Sequence, residues 1–500
     1  MRSHIAFRTE PVALEADYVV VGSGAGGATA AVTLARAGAS VALVEAGAWR
    51  DPAHYPASAY GAMRDLLEDW GSQVTRGRAL WPIVQARTMG GTTVVNSAIA
   101  VRTPGDIFRQ WERERGVGGD AMADAIGRHQ DAIERELSVE EVPRGSLGRS
   151  NLLALAGDAA ADYQGHVMKR YVASCAGTGQ CLQGCRKGRK QSTNVTYVPE
   201  LLRLGGDVLS CAPVHRVAFE SRRARGVVGR FVHPETRAKG GRFEVRARRA
   251  VVVAASVTHS PALLERSGLK SPALGSLFRA HPGTGVFGCY DEPVDMNVGV
   301  TQGWATTKFR ESPGLKLETL AIPPELVASR IAGGGTALME RLARYRHVAM
   351  WCHAVRAESC GTVHNGLGDR PVVRYQLDDA DMRRFRDGMR LVAELHFAAG
   401  ARSVIPGIHG MPFELGPDQV HLLREAPLDP RRYVAILSHL FGGCPMGKDP
   451  RESVCDGDGR VHGVEGLVVA DASVIPTNLG VNPQHTIMAL ARHFATRLVQ

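Results

Sequence analysis

The stretch that decides the fold is Ala16-Asp-Tyr-Val-Val-Val-Gly-Ser-Gly-Ala-Gly-Gly-Ala-Thr29. Its β-branched beginning, Ala16–Val21, predicts a strand that stops at a run of glycines. Ala28–Ala37 is rich in good helix formers, and Ser40–Val44 predicts a second strand that ends at Glu45. A strand, a helix and a second strand in this order predict a parallel βαβ unit at the start of an α/β fold.

The glycines of this turn have the spacing of a dinucleotide-binding motif. In Gly22-x-Gly24-x-x-Gly27, glycine permits a sharp turn, a close approach of the backbone to a pyrophosphate and tight contact between helix and strand. Glu45 follows Gly27 by eighteen residues and can accept a hydrogen bond from a ribose hydroxyl. The motif predicts dinucleotide binding, and by itself it leaves NAD and FAD both open.

Farther along the chain, helices and strands alternate without a flexible linker. The sequence pattern predicts helices over Trp111–Arg115 and Ala121–Leu137, and a last helix over Thr486–Leu498. Strand-like runs occupy Gly206–Phe219, Gly226–Val232, Arg242–Ala247 and Ala250–Ala255. We therefore expect the parts of the chain to be interleaved around one core.

Composition excludes several classes of protein. The 500 residues are 44% hydrophobic and 22% charged, which excludes a mainly disordered chain. No apolar stretch approaches the ~20 residues of a membrane-spanning helix. The net charge of +10 comes from 52 Arg and 8 Lys spread over the whole chain without aromatic platforms, so we expect no nucleic-acid partner.

The nine cysteines are an odd number, and no apolar core or cleavage site of a signal peptide follows the first residues. We expect free thiols and a cytoplasmic location. Cys175, Cys181 and Cys185 lie close together, and three thiolates at this spacing could bind an iron–sulfur cluster or remain free in a solvated loop. We predict that they hold no metal.

Three further segments carry a resemblance to a known family. They are Arg87–Ser97, Ala255–Leu264 and the text from His439 to Phe494, which includes His439-Leu-Phe-Gly-Gly-Cys-Pro-Met-Gly447 and Gly480-Val-Asn-Pro-Gln-His-Thr486. Together with the glycine turn, they resemble the glucose–methanol–choline (GMC) family of FAD oxidoreductases. Ser256 departs from the pattern because the family usually has Gly there. Residues 291–435 resemble the family poorly.

The resemblance implies an α/β, overall α+β, architecture in which a Rossmann-like FAD-binding domain is interleaved with a substrate domain built on a mostly antiparallel sheet with helices. We expect an FAD domain over 14–290 with a helical insertion near 110–165, a substrate-binding domain over 291–444 and a segment 445–500 that completes the FAD domain and active site. The residues implied to bind FAD are Gly22, Gly24, Gly27, Glu45, Gly90, Gly91, Asn96, Val214, Asp471, Ala472, Pro483 and Thr486.

The same resemblance implies the chemistry: oxidation of an alcohol CH–OH group to an aldehyde or ketone, with hydride transfer to flavin N5. His439 and Asn482 match a catalytic His/Asn pair of the family. An imidazole can take the hydroxyl proton at neutral pH, and an amide can hold the same oxygen without competing for that proton. We expect His281 and His462 to be structural, and we leave His485 open between a structural role and contact with substrate or flavin.

Several alternatives stay open at this point. The family also contains flavoproteins that perform no net alcohol oxidation, such as lyases and a light-driven decarboxylase. Val95 occupies the position at which some members tether the flavin through histidine, so we expect non-covalent FAD. The partners expected are a small-molecule alcohol and an electron acceptor, oxygen or another; the sequence decides neither the acceptor, the substrate nor the oligomeric state.

Overall fold

The computed structural model describes residues 4–500, which form two sheets flanked by helices. The helices are α1 (Ala25–Arg36), α2 (Ala59–Asp65), α3 (Gly105–Arg115), α4 (Gly119–Glu136), α5 (Arg149–Ala161), α6 (Tyr197–Arg203), α7 (His259–Arg266), α8 (Pro324–Ala328), α9 (Gly335–Ala343), α10 (Asp379–Ala398), α11 (Leu422–Glu425) and α12 (Gln484–Val499).

The strands are short except in the centres of the two sheets. They are β1 (His4–Ile5), β2 (Val12–Val21), β3 (Val41–Val44), β4 (Val139–Glu141), β5 (His166–Val167), β6 (Lys169–Tyr171), β7 (Asp207–Leu209), β8 (Val214–Glu220), β9 (Arg223–Val232), β10 (Lys239–Val253), β11 (Arg279–Cys289), β12 (Trp304–Thr306), β13 (Leu315–Thr319), β14 (Val348–Val355), β15 (Thr362–Asn365), β16 (Pro371–Arg374), β17 (Ser403–Ile405), β18 (Ile436–Phe441) and β19 (Leu467–Val469).

The first sheet has the order β1-β7-β3-β2-β10-β9-β8, and β19 also pairs with β10. Strands β1, β7, β3, β2, β10 and β19 run parallel to one another. Strand β9 pairs antiparallel with β10, and β8 pairs antiparallel with β9. The central strands are runs of buried valines and alanines, as is typical of a parallel sheet covered on both faces. The βαβ unit β2–α1–β3 is therefore confirmed.

Two strand predictions needed correction in their extent. The runs 242–247 and 250–255 form the single strand β10, whose pairing with β2 is irregular between Ala247 and Ala250. The run 206–219 is two strands, β7 and β8, which lie at opposite positions in the sheet. The irregular pairing between Ala247 and Ala250 leaves β10 continuous. The Cys211-Ala-Pro213 segment, with φ +56° at Cys211, separates β7 from β8.

The second sheet has the order β17-β11-β14-β13-β12-β5, and β18 also pairs with β11. All of its pairs are antiparallel. Helix α10 packs on β14 and β11, where Phe385 and Trp351 are buried. The predicted architecture, a Rossmann-like domain interleaved with an antiparallel sheet and helices, is confirmed.

The chain crosses between the sheets several times. β5 lies early in the sequence but pairs in the second sheet, and β11, inside the predicted 14–290 domain, also belongs to that sheet. β19 and α12, in the predicted segment 445–500, return to the first sheet and pack on it beside α1. Over residues 4–500, no helix is both long and apolar enough to cross a membrane.

Candidate active site

A cavity of about 1870 Å³ lies between the two sheets. Typical small-molecule sites measure roughly 300–1000 Å³, so this cavity has room for a dinucleotide and a second molecule. Its wall contains most of the residues that the sequence nominated for the site, namely Gly22, Gly24, Glu45, Gly91, Asn96, Val214, Asp471, Ala472, Pro483, His439 and Asn482.

The glycine turn joins β2 to α1 at the cavity, and its geometry depends on missing side chains. Gly22 has φ +95°, a left-handed conformation that favours glycine. A methyl group at Gly26 would lie 1.9 Å from the carbonyl oxygen of Ala470, and one at Gly27 would lie 1.9 Å from that of Gly22. At Gly24, by contrast, no protein atom lies within 4 Å of such a methyl group, so this position is open for a ligand to approach the backbone.

Glu45 at the end of β3 is almost completely buried on the cavity wall. Its carboxylate accepts hydrogen bonds from Ser23 N at 2.9 Å and from Gly47 N at 2.7 Å. Burial raises the pKa of Glu45, while these hydrogen bonds oppose the rise. The carboxylate is held at the mouth of the glycine turn, where an acceptor for a ribose hydroxyl is required.

Asn96 lies on the same wall, in the segment that follows the Gly90-Gly91 turn. Its Nδ2 donates to Gln484 Oε1 at 2.6 Å, and its Oδ1 accepts from Ala98 N at 2.9 Å. Both ends of the amide are therefore fixed, and the segment is fastened to the first turn of α12.

Asp471 follows β19 and links the turn after β10 to the C-terminal segment. Its carboxylate accepts from Ser473 N at 2.8 Å and from Ser256 N at 2.9 Å. Ser256 has φ +90°, so a serine occupies a conformation that favours the glycine usual in the family. Asp471 compensates in part by accepting the hydrogen bond of the strained residue's N–H group.

Three of the nominated residues lie off the cavity wall. Gly27 packs α1 against the turn, and Gly90 N donates to Ser23 Oγ at 2.8 Å. Thr486 is completely buried, with its Oγ1 2.8 Å from Thr103 Oγ1, so its placement does not support a direct contact with the cofactor. His485 is likewise buried against Tyr171 and Glu134 and does not line the cavity, which favours its structural role.

His439 on β18 and Asn482 before α12 meet at the far wall. Asn482 Nδ2 lies 3.3 Å from His439 Nε2, and both residues face the cavity. Burial lowers the pKa of His439 to about 4, although the carboxylate of Glu318 opposes this change. His439 is therefore a neutral imidazole at physiological pH and can accept a proton.

The sequence did not single out two charged residues beside this pair. Lys316 and Glu318 are two positions apart on β13, so both point to the same face of the second sheet, and both are buried. They form an ion pair, and Lys316 Nζ also donates to Asn482 Oδ1. Because an ammonium group only donates, it holds Oδ1 and turns the Nδ2 donor toward His439. Glu318 also accepts from Gln302 Nε2 at 2.6 Å.

His281 on β11 is a second imidazole beside His439. The two Nδ1 atoms are 3.1 Å apart, so one proton bridges the rings. Gly480 N donates to His281 Nε2 at 2.9 Å, so this contact favours the bridging proton on His281 Nδ1. The Asn482 Nδ2 donor has the opposite effect: it favours a lone pair on His439 Nε2 and hence the bridging proton on His439 Nδ1. His281 thus touches the candidate base and influences its tautomer, beyond the structural role expected from the sequence.

The three clustered cysteines lie away from this wall. Cys175, Cys181 and Cys185 surround a separate cavity of about 20 Å³. Among residues 4–500, no three His, Cys, Asp or Glu side chains come together so that they could hold a metal ion. The absence of a metal stays a prediction.

Comparisons of the chain with family models and with known proteins agree on one family. Residues 16–283 and 358–491 match the N-terminal and C-terminal family models described as GMC oxidoreductase. An uncharacterized GMC-type oxidoreductase of Mycobacterium tuberculosis is 36% identical over 492 residues, covering 98% of this chain and 76% of the relative. A long-chain-alcohol oxidase of Arabidopsis thaliana, FAO1, is 28% identical, covering 97% and 67%.

Solved structures show the same fold at lower identity. Pyridoxine 4-oxidase from Mesorbium loti superimposes with a TM-score of 0.72 at 20% identity, covering 96% of this chain and 98% of that one. Formate oxidase superimposes with a TM-score of 0.74 at 17% identity, covering 97% and 98%.

The cavity and the comparisons lead to the same cofactor. The glycine turn with its open Gly24 position and the buried Glu45 carboxylate fit a dinucleotide, and His439 lines the same cavity. The chain belongs to the GMC oxidoreductase family, whose members are enzymes that bind FAD.

Proposed function

We propose that the protein oxidises an alcohol to an aldehyde or ketone, with His439 as the base and Asn482 holding the substrate oxygen. The observation that carries the proposal is the convergence of the His439 imidazole and the Asn482 amide, 3.3 Å apart, on one cavity wall. A hydroxyl oxygen bound between them can receive a hydrogen bond from the amide while it gives its proton to the imidazole.

Each neighbouring residue has a defined part in this mechanism. Lys316 keeps Asn482 Nδ2 turned toward the substrate oxygen, and the His281 ring, whose Nδ1 lies 3.1 Å from His439 Nδ1, holds the imidazole of the proposed base in place. Bound FAD supplies the hydride acceptor, flavin N5.

The proposed substrate class rests on another part of the wall. Besides charged and polar groups, the cavity is lined by apolar side chains, namely Met63, Ile99, Leu182, Leu320, Ile322, Leu326 and Met350. Such a lining favours an alcohol with a long or alicyclic hydrocarbon body, because burial of apolar surface contributes about 25 cal/mol per Å². The Arabidopsis relative, a long-chain-alcohol oxidase, supports the same class.

Anaerobic mixing of the FAD-loaded enzyme with a series of alcohols tests the proposal. We expect long-chain or alicyclic alcohols to bleach the flavin absorbance in the dark, and short or highly polar alcohols to bleach it slowly. Admission of oxygen then distinguishes an oxidase, which regains its colour at once, from a dehydrogenase, which needs another acceptor. A flavin that no alcohol bleaches would favour the non-redox alternative.

Replacement of Asn482 by Leu should impair the same reductive step. The substrate oxygen loses a hydrogen bond that strengthens as negative charge develops on it, so we expect flavin reduction to slow by roughly 10- to 100-fold. Stopped-flow reduction at saturating alcohol measures this rate. Parent-like reduction by the Asn482→Leu enzyme would remove Asn482 from the mechanism.

The FAD is expected to be non-covalent. Val95 follows Val94 in the segment beside the cavity, and its side chain offers no nucleophilic nitrogen. Precipitation of the protein with acid should release all of the yellow colour into the supernatant. Colour that stays in the washed pellet would reveal a covalent bond to another residue.

A further inference from the structure

Two buried cations lie directly behind the cavity-lining segment 94–97. Arg170 on β6 and Lys190 have relative exposures of only 1% and 3%. Arg170 Nε donates to Ser97 O at 2.7 Å, and Lys190 Nζ donates to the carbonyl oxygens of Val94 and Asn96 at 2.7 and 2.5 Å. Both cations thus hold the backbone on which Asn96 depends.

Neither cation has a carboxylate partner. Within residues 4–500, no Asp or Glu oxygen forms an ion pair with Arg170 or Lys190. Two like charges buried together without a counter-ion are strongly unfavourable, because desolvation and repulsion both act against them. A negatively charged group beside the two cations would offset much of this cost.

Cys181 is the acidic group in contact with both side chains. Arg170 Nη2 donates to Cys181 Sγ at 3.1 Å, and Lys190 Nζ donates to the Cys181 carbonyl oxygen at 2.8 Å. Burial raises the pKa of the Cys181 thiol, but the charges of Arg170 and Lys190 outweigh it and bring the pKa to about 6. Burial lowers the pKa of Lys190 to about 8, and the charge of Cys181 limits that fall.

A second observation points to a small ligand at the same place. Arg170 Nη1 is buried and has no hydrogen-bond partner, and Arg170 lines the cavity of about 20 Å³ together with Cys181. A cavity of this size holds a water-sized molecule. Hydrogen peroxide has one more oxygen atom than water, so it needs a small widening of this cavity, and the unpartnered Arg170 Nη1–H group is available to donate to it.

We propose that Cys181 is a thiolate in the resting protein, the counter-ion of buried Arg170 and Lys190, and the site at which hydrogen peroxide oxidises the chain. In this step the sulfur attacks one peroxide oxygen, the O–O bond breaks and hydroxide leaves. The sulfur is oxidised by two electrons to a sulfenic acid and the peroxide is reduced by two. The proposal is independent of the alcohol chemistry at His439.

The first test measures the ionisation of the Cys181 thiol directly, without a chemical label. The mid-ultraviolet absorbance of the thiolate, taken as the difference between the parent and Cys181→Asp, should titrate with a midpoint near pH 6. A midpoint at about 8.5, the value of an ordinary cysteine, would overturn the proposal. Iron bound to the purified protein in proportion to these cysteines would overturn it as well.

The second test compares a charged with a neutral replacement. Cys181→Asp keeps a negative charge beside the two cations, whereas Cys181→Ser, which is closer in size, removes it. We expect the Ser variant to melt at a lower temperature than both the parent and the Asp variant. Equal melting temperatures for the Ser and Asp variants would show that no counter-ion is needed there.

The third test locates the oxidation. After a brief exposure to dilute hydrogen peroxide and trapping with a sulfenic-acid reagent, peptide mass spectrometry should find the label at Cys181, with a rate that falls about tenfold per pH unit below 6. Cys175→Ser and Cys185→Ser, which change the other thiols of the small cavity, should keep the label at Cys181. A label confined to the exposed Cys360 would overturn the proposed oxidation site.

Discussion

His439→Ala should retain FAD and lose the reductive step. The substitution removes the proposed base from a half-buried position on β18 without touching the glycine turn, so we expect flavin reduction by alcohol to fall by roughly 100-fold or more. Single-turnover mixing under anaerobic conditions measures the rate, and the visible spectrum of the purified variant confirms that FAD is present. Reduction as fast as in the parent would show that another group takes the proton.

The pH dependence of the same step identifies the group that titrates. If His439 is the base, as we propose, its neutral form is the active one, so the rate should be constant at neutral pH and fall as the pH drops through about 4. The charged and titratable groups that face the ring are His281, Lys316 and Glu318. Glu318→Gln removes the charge that raises the pKa of His439, so the acid limb should move to lower pH.

Lys316→Met is the matched variant that should shift the pKa of His439 in the opposite direction. It removes the charge that lowers the pKa of His439, so the acid limb should move to higher pH, while the loss of the Asn482 contact should also reduce the maximal rate. An acid limb at the same pH in both variants would contradict the assignment of that limb to His439.

Gly26→Ala should disrupt the packing of α1 against the segment that follows β19. The added methyl group would lie 1.9 Å from Ala470 O, a backbone atom just after β19, and neither α1 nor the sheet can yield without a shift of main chain. We expect the free energy of unfolding to fall by about 2 kcal/mol or more, together with loss of FAD. Thermal unfolding and the visible spectrum measure the two effects.

Gly24→Ala, two residues earlier, is the control for that experiment. Its methyl group meets no protein atom within 4 Å and faces the cavity, so the fold should tolerate it, whereas FAD affinity should decrease. If both variants were as stable as the parent and retained FAD equally, the close packing described for this turn would be wrong.

The sequence allowed the βαβ unit and eleven residues of the cavity wall to be predicted, because their signals are local. A strand, a glycine turn and an acidic residue within thirty positions determine β2, α1, β3 and the place of Glu45. Ser256 could be recognised as a departure from the family pattern, and its φ of +90° gives the physical reason why glycine is usual there.

The placement of Lys316, Glu318 and His281 beside the proposed catalytic pair could not be predicted, because these contacts are long-range. His281 and His439 are 158 positions apart, and Lys316 and Asn482 are 166 apart. Only the pairing of β11 with β18, and of β13 with β14, brings these side chains to one face of the second sheet. No spacing in the amino-acid sequence records such a pairing.

The pairing of β11 with β18 separates two kinds of evolutionary change. His281 and His439 lie on neighbouring strands whose backbones are hydrogen-bonded, with Ala280 opposite Leu440, so their relative position is determined by the sheet. The apolar wall at Leu320–Leu326, by contrast, lies in a loop and the short helix α8. Mutations there can change the shape of the cavity while the two histidines keep their relative position, so the proposed chemistry could be combined with new substrates.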